Sequence, residues 1–175
     1  MENVSNLNDK TGNSIVLTWV LAEENVADDF KPFFQVYGVC YDDAGRILII
    51  QEKGKWKIPG GSPEKEETWK ETLIREVWEE ATVKIDNIEL LGAQKVNYPH
   101  NPNAQEGDLY YQLRCIAHVE SMAEPVPDPD TNIMIVREMV EPEEVFKRIN
   151  WGNAGNAMFC DAFEKIENIS LLPVK

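Results

Sequence analysis

The sequence predicts a mixed α/β domain, one mixed β-sheet covered by helices, and three observations carry that prediction. Runs of β-type residues lie at 14–20, 33–41, 46–51 and 56–58, and again at 84–96, 109–119 and 132–140. A strongly helical segment over 66–81 separates the two groups, and two further helical signals follow the last strand. The length of 175 residues, 43% of them apolar and 27% charged, suits a single soluble domain with one sizeable core.

The elements follow in order. The opening residues, MENVSNLNDKTGNS, are polar and lack an apolar run ending in a small-residue cleavage site, so no secretory signal is read and a cytoplasmic protein is expected. The apolar stretch at 15–22 is broken by Thr18 and is far too short to span a bilayer. Residues 1–30 are read as an N-terminal extension that packs a strand on the domain proper, 31–175. Asp42-Asp43-Ala44-Gly45 is a hairpin signal between two strands. Pro59-Gly60-Gly61-Ser62-Pro63 then ends the β pattern ahead of the helix. Polar loops at 97–107 and 121–130, the second rich in proline, separate the later strands. Glu141-Pro142-Glu143-Glu144 reads as a helix start, with proline and acids in the first turn, and a last helix is expected over 156–166.

Cys40, Cys115 and Cys160 are odd in number, widely spaced and set among apolar or aromatic residues, which points to reduced core thiols. With no CxxC pair and two histidines, a sulfur- or nitrogen-rich zinc site is disfavoured. His118 is expected in the core and His100 in a loop.

Charge asks a sharper question. Lysine plus arginine number 17 against 31 aspartate plus glutamate, a formal net charge of −14. Such a chain does not hold nucleic acid or an anionic membrane by charge alone, so an anionic ligand needs positive charge supplied locally. Residues 61–83 hold 7 acids and 3 bases, and residues 120–146 hold 8 acids and 1 base. At about 100° per residue, with Leu73 at zero, Val77, Ala81, Ile74 and Trp78 fall at about 40°, 80°, 100° and 140°, and Trp69 at about 320°; these are the expected buried stripe. Glu76, Glu79 and Glu80 fall at about 300°, 240° and 340°, overlapping its edge. Three like charges beside a core repel one another unless a cation compensates, and all-oxygen ligation suits magnesium or manganese. A solvated helix rich in glutamate is the rival reading, and the helix alone does not choose. Lys53, Lys55 and Lys57 alternate ahead of it, so on a strand they would share one face. Gly60-Gly61 lets backbone amides approach a ligand.

Taken together, 61–83 resembles the Nudix signature G-x5-E-x7-R-E-U-x-E-E-x-G-U, where U is a bulky aliphatic residue: Gly61, then Glu67, Arg75-Glu76-Val77, Glu79-Glu80 and Val83. Trp56-Lys57-Ile58-Pro59-Gly60-Gly61 also looks like the family's approach to its box. Thr82 stands where the pattern has glycine, a place that often needs left-handed backbone, so the helix is expected either to carry strain or to end differently.

The resemblance implies a Nudix-like α/β/α sandwich and a hydrolase of nucleoside diphosphates linked to another moiety, dependent on Mg2+ or Mn2+. By position it implies Glu76, Glu79 and Glu80 as metal ligands, Arg75 as the group orienting Glu76, and Glu67 as support for the loop–helix junction or a metal-bound water. Gly60, Gly61 and Lys57 are the expected substrate contacts. A base from a downstream loop is expected; Glu124 and Asp130 are the first candidates, with Glu106 and Asp108 behind them. Tyr98, Tyr110, Tyr111 and Phe34 are candidates for stacking on a base. The expected partner is a small nucleotide-type substrate, without nucleic acid or membrane, and a homodimer is compatible with the sequence. Two rivals stand beside this reading. One is a non-catalytic nucleotide sensor on the same fold; the other is an isopentenyl-diphosphate isomerase relative, which would need a reactive cysteine in an active-site loop.

Overall fold

A computed structural model describes residues 3–22, 27–103, 107–127, 132 and 134–170. Its strands are β1 (Val4–Asn8), β2 (Ser14–Leu21), β3 (Phe33–Tyr41), β4 (Ile47–Glu52), β5 (Lys55–Lys57), β6 (Gly60–Gly61), β7 (Val83–Asn97), β8 (Leu109–Met122) and β9 (Val136–Val140). Three helices, α1 (Trp69–Ala81), α2 (Pro142–Arg148) and α3 (Gly152–Ser170), pack on them. All strands join one sheet in the order β1-β2-β7-β8-β3-β4-β5, with β6 beside β3 and β9 beside β4. The pairing is antiparallel except between β3 and β8, where Phe33 to Tyr41 run parallel to Tyr111 to His118. The mixed sheet is thus present, and two strands join it that periodicity did not signal: β1, whose VSNLN is mostly polar, and the two-residue β6.

Strand alternation divides the core into two layers. Val36, Cys40, Leu48, Ile50, Leu113 and Cys115 face α1, where Leu73, Val77 and Ala81 close the layer. Val39, Tyr41, Ile47, Ile49 and Ile116 face the other way, toward Val145 of α2 and Met158, Phe159 and Ala162 of α3. Gly38 brings α1 close to β3, since a β-carbon there would lie 3.0 Å from Leu73 Cδ1. On the opposite face, Trp151, Phe159 and Phe163 stack in succession at centroid distances of 5.8 Å.

Helix α1 starts later than its composition suggests. Glu66 has φ 70°, and Thr68 is the N-cap of a capping box with Glu71. Cys40 and Cys115 are buried thiols, and burial alone pushes Cys40 up to about 12, which leaves it unreactive. Among the described residues no helix is long and apolar enough to cross a membrane.

His118 is not the core residue its apolar strand suggested. It lies at the sheet surface, 22% exposed, with Nδ1 2.8 Å from Asp86 and Nε2 2.9 Å from Asp43. Burial works against its charge, but the two carboxylates outweigh it and raise its pKa above the ordinary 6.5. The stability it adds is therefore complete below the unfolded pKa and lost as pH rises through the folded one. NMR titration should place its midpoint above 6.5, and His118→Gln should remove the matching fall in stability.

Candidate functional site

The site forms where β6 lies against α1. Gly61 pairs with Val36 and Gly60 with Tyr37. Gly60 has φ 144°, and a β-carbon on it would sit 2.2 Å from the Val36 carbonyl oxygen. One on Gly61 would sit 2.3 Å from Glu76 Oε1. Glycine is therefore needed twice, once against backbone and once to leave space for a carboxylate.

The inward face of α1 is rotated from the expected stripe. Thr72, Leu73, Val77 and Ala81 are buried, whereas Ile74 and Trp78 are 47% and 40% exposed. Glu76 and Glu80 lie within the inward arc rather than at its edge, with side chains 15% and 10% exposed. Glu76 and Glu80 face inward onto partners that accept a carboxylate, Gly61 beside the first and Lys57 with the Gly60 N–H beside the second.

Two cations divide the carboxylates. Arg75 donates from Nε to Glu67 Oε1 at 2.7 Å and from Nη2 to Glu67 Oε2 at 3.0 Å, a bidentate fork. Its Nη1 reaches Glu76 and Glu79, each at 3.0 Å, and Nη2 also reaches the Ser62 carbonyl. Glu67 further accepts from Glu64 N–H and Thr72 Oγ1. The Arg75 hydrogen bond is the main reason its carboxyl is held down at about 2. Lys57 Nζ sits 2.8 Å from both Glu80 Oε1 and Glu52 Oε2, and Gly60 N–H donates to Glu80 Oε2 at 2.8 Å. Burial raises the pKa of Glu76 and of Glu80, opposed by Arg75 in the first case and Lys57 in the second. Among the described residues no three acids, histidines or cysteines converge as a ready-made ligand set.

Thr82 ends α1 in the left-handed conformation, φ 52° and ψ 43°, so the geometry suited to glycine is kept at a cost of about 1–2 kcal/mol. Its surroundings hold it there. The Thr82 N–H donates to Trp78, its carbonyl accepts from Ala123 N–H, and its Oγ1 accepts from Val126 N–H. Arg137 donates to the carbonyls of Ala81, Thr82 and Ala123, tying the loop after β8 to the helix end.

The remaining expected residues fall differently. Lys53 and Gly54 form the β4–β5 turn with φ 48° and 77°, so the three lysines do not share one strand; Lys55 is exposed and Lys57 turns inward. Glu124 stands exposed on the loop fastened at Thr82, where its charge acts on Arg137. Asp108 accepts the Tyr98 N–H through its carbonyl, and Tyr98 donates to Asp9. Asp130 and Glu106 lie outside the described residues. The proposed stacking rings are taken up elsewhere, Tyr110 by Phe34 and Tyr111 by Phe30.

Two adjoining open clefts lie on the far side of the sheet from α1, and Lys57 lines the first. The larger, about 730 Å³, is lined by Lys53, Lys55, Lys57 and Arg148 against one acid, Glu52. The smaller, about 470 Å³, contains Arg114, Gln94 and Gln112 and shares Tyr37, Asn150 and Trp151 with the first. Sequence reasoning missed Tyr37, Arg114 and Trp151. An arginine in the middle of the apolar strand Leu-Arg-Cys-Ile-Ala was the available signal.

Comparison with known proteins places this arrangement. The chain is 40% identical over 82 residues to a MutT-like protein of Streptomyces ambofaciens, covering 46% of this chain and 49% of that one. It is 36% identical over 85 residues to the human nucleoside diphosphate-linked moiety X motif 6, covering 45% and 26%. It thus spans about half, or less, of the length of these relatives. The fold matches the crystal structure of the Bacillus subtilis pyrophosphohydrolase BsRppH with a TM-score of 0.62 at 17% identity, over 92% of this chain and 97% of that one. The NUDIX domain pattern matches residues 31–160, most of the chain and all of the glycine strand and helix just described, and the protein belongs to that family.

Proposed function

We propose that the protein is a metal-dependent pyrophosphohydrolase that acts on a nucleoside diphosphate linked to another moiety: water attacks a phosphorus, the P–O–P bond inside the diphosphate breaks, and a nucleoside monophosphate and a phosphorylated remainder leave. The observation that carries this reading is the close fit of Gly61 to Glu76, which keeps a half-buried carboxylate beside a strand that a ligand can approach. The names of the relatives, a MutT-like protein and a pyrophosphohydrolase, support it.

The chemistry of the donors, rather than a ready-made cage, suits a hard divalent cation. Glu76, Glu79 and Glu80 offer oxygen alone, and Glu76 and Glu80 are carboxylates whose charge is disfavoured by burial and stabilised by a neighbouring cation. These three would hold Mg2+ or Mn2+, which when bound supplies Lewis acidity toward water and the phosphate oxygens. The chain's own groups do the rest. Arg75, fixed by its fork to Glu67, sets the orientation of Glu76 and Glu79. Lys57 lies between Glu80 and the basic cleft, where it can pass from its carboxylates to a phosphate oxygen. Gly60 and Gly61 keep backbone close to the reacting group. Glu124, on a loop fastened to the end of α1, is the proposed base.

A panel of nucleoside triphosphates, ADP-ribose, nucleotide sugars and dinucleoside polyphosphates, assayed with each metal, tests the reading. Release of a nucleoside monophosphate with either metal is the expected result. Saturable nucleotide binding with no product, even at high manganese, would replace it with the sensor reading.

A further inference from the structure

Arg114 is buried in β8, 3% exposed, and among the described residues no carboxylate is bonded to it. Its Nη1 donates to the Leu113 carbonyl at 3.1 Å, and its Nη2 donates to Gln94 Oε1 at 2.7 Å and Gln112 Oε1 at 2.8 Å. Its Nε is the one buried side-chain nitrogen or oxygen, among the described residues, with no hydrogen-bond partner. Burial lowers its pKa to about 10, which leaves the group charged at neutral pH. The guanidinium lies 4.7 Å from the Tyr37 ring centroid and 5.5 Å from that of Trp151. An unpaired donor and an uncompensated charge at this depth are costly, and the fold keeps both.

The arginine also dictates what its neighbours can offer. Guanidinium only donates, so Gln94 and Gln112 must turn their oxygens toward it. Gln112 then points its amide nitrogen at Gln35 and donates to Gln35 Oε1 at 2.6 Å. All three amide oxygens already face N–H groups, and the chain of bonds leaves the network richer in donors than in acceptors. These residues line the smaller cleft, whose walls are the rings of Tyr37 and Trp151 and the side chains of Leu7 and Leu17.

A cleft with aliphatic side chains, the edge-to-face pair of Tyr37 and Trp151 at 6.2 Å, and a surplus of donors suits a ring with acceptors on its edge. We propose that this cleft binds the base of the nucleotide substrate and selects a 6-oxopurine, with Arg114 as the specificity-determining residue. The inference rests on the nucleotide reading given above. A 6-oxopurine presents two acceptors, O6 and N7, on one edge, whereas adenine replaces O6 with an amino donor that meets donors here. A phosphate is the poorer occupant, because the adjoining cleft with Lys53, Lys55, Lys57 and Arg148 gathers more cations and lacks the glutamines. Tyr37 joins the two clefts and pairs through its backbone with Gly60, so a base bound at Arg114 directs its phosphates toward Lys57 and the glycine strand.

The test uses the full chain and the monophosphates GMP, IMP and AMP, titrated without metal and followed by tryptophan fluorescence. GMP and IMP should bind alike and AMP roughly tenfold or more weakly. In Arg114→Met the difference between GMP and AMP should collapse to less than about threefold. Folding of that variant is checked by circular dichroism, and the wild-type comparison stands without it. Equal affinity for AMP and GMP in the wild type overturns the proposal, as does no saturable binding of any monophosphate at millimolar concentration. So does a loss in Arg114→Met that is equal for all three nucleotides and matched by inorganic pyrophosphate, which would make Arg114 a phosphate contact. Selective GMP binding in a protein that releases no product would leave this site standing and remove the hydrolase reading; turnover indifferent to the base would do the reverse.

Discussion

Replacing Glu76 by glutamine is expected to lower metal-dependent monophosphate release by at least about a hundredfold, while the protein still folds. The shape of the side chain is conserved, and its remaining carbonyl oxygen can accept the Arg75 hydrogen bond now made at 3.0 Å. What is lost is the negative charge, which burial already disfavours and which a cation would require. Thermal melting should therefore change by less than about 1 kcal/mol in stability terms. Manganese titrations of the two proteins give the second readout, a rise in the metal concentration needed for half-maximal activity. Undiminished turnover in the variant would sink the assignment of Glu76 to the metal.

The glycine pair should separate fold from activity. At Gly60 an added methyl group meets backbone, the Val36 carbonyl oxygen at 2.2 Å and the Tyr37 Cα at 2.6 Å, at a φ of 144°. Neither can give way without moving β3, so Gly60→Ala is expected to cost about 2–4 kcal/mol in denaturant unfolding. At Gly61 the methyl meets only the end of a side chain, Glu76 Oε1 at 2.3 Å and Cδ at 2.5 Å. A carboxylate can swing aside, so Gly61→Ala should keep stability within about 1 kcal/mol but lose activity about as severely as the Glu76 variant. A Gly61→Ala protein that turns over normally would show that the position of Glu76 does not matter.

How far the sequence could be read depends on how local the cause is. The long strands and α1 were legible because apolar spacing is a local property, and the box was legible because its spacing is rigid. The orientation of α1 was not. A helical wheel ranks faces by hydrophobicity, and here Glu76 and Glu80 turn inward onto the glycine strand and Lys57 while Ile74 and Trp78 stay exposed. β1 escaped notice because Ser5, its buried residue, is polar, and its hydroxyl is used to accept the Ala154 N–H. The ion pairs of Arg75 and Lys57 were legible only as composition, since which acid each cation takes is decided by three-dimensional proximity. Arg114 was visible as an oddity in an apolar strand, but its glutamine partners come from β7 and β8 and could not be paired with it in advance.

The N-terminal hairpin has a consequence for the order of assembly. Ser5 bonds to Ala154 across 149 residues, and the Trp19 indole N–H donates to Asp161 across 142. Leu7 and Leu17, from the first strands, and Trp151, just ahead of α3, line one cleft. Closing so long a loop is slow, and contacts of that range form after local ones. During synthesis the early strands wait for the last helix before the lining of the cleft is complete. The cleft proposed for the base is therefore the part of the molecule completed last, since α3 holds Trp151 in place through its stack on Phe159.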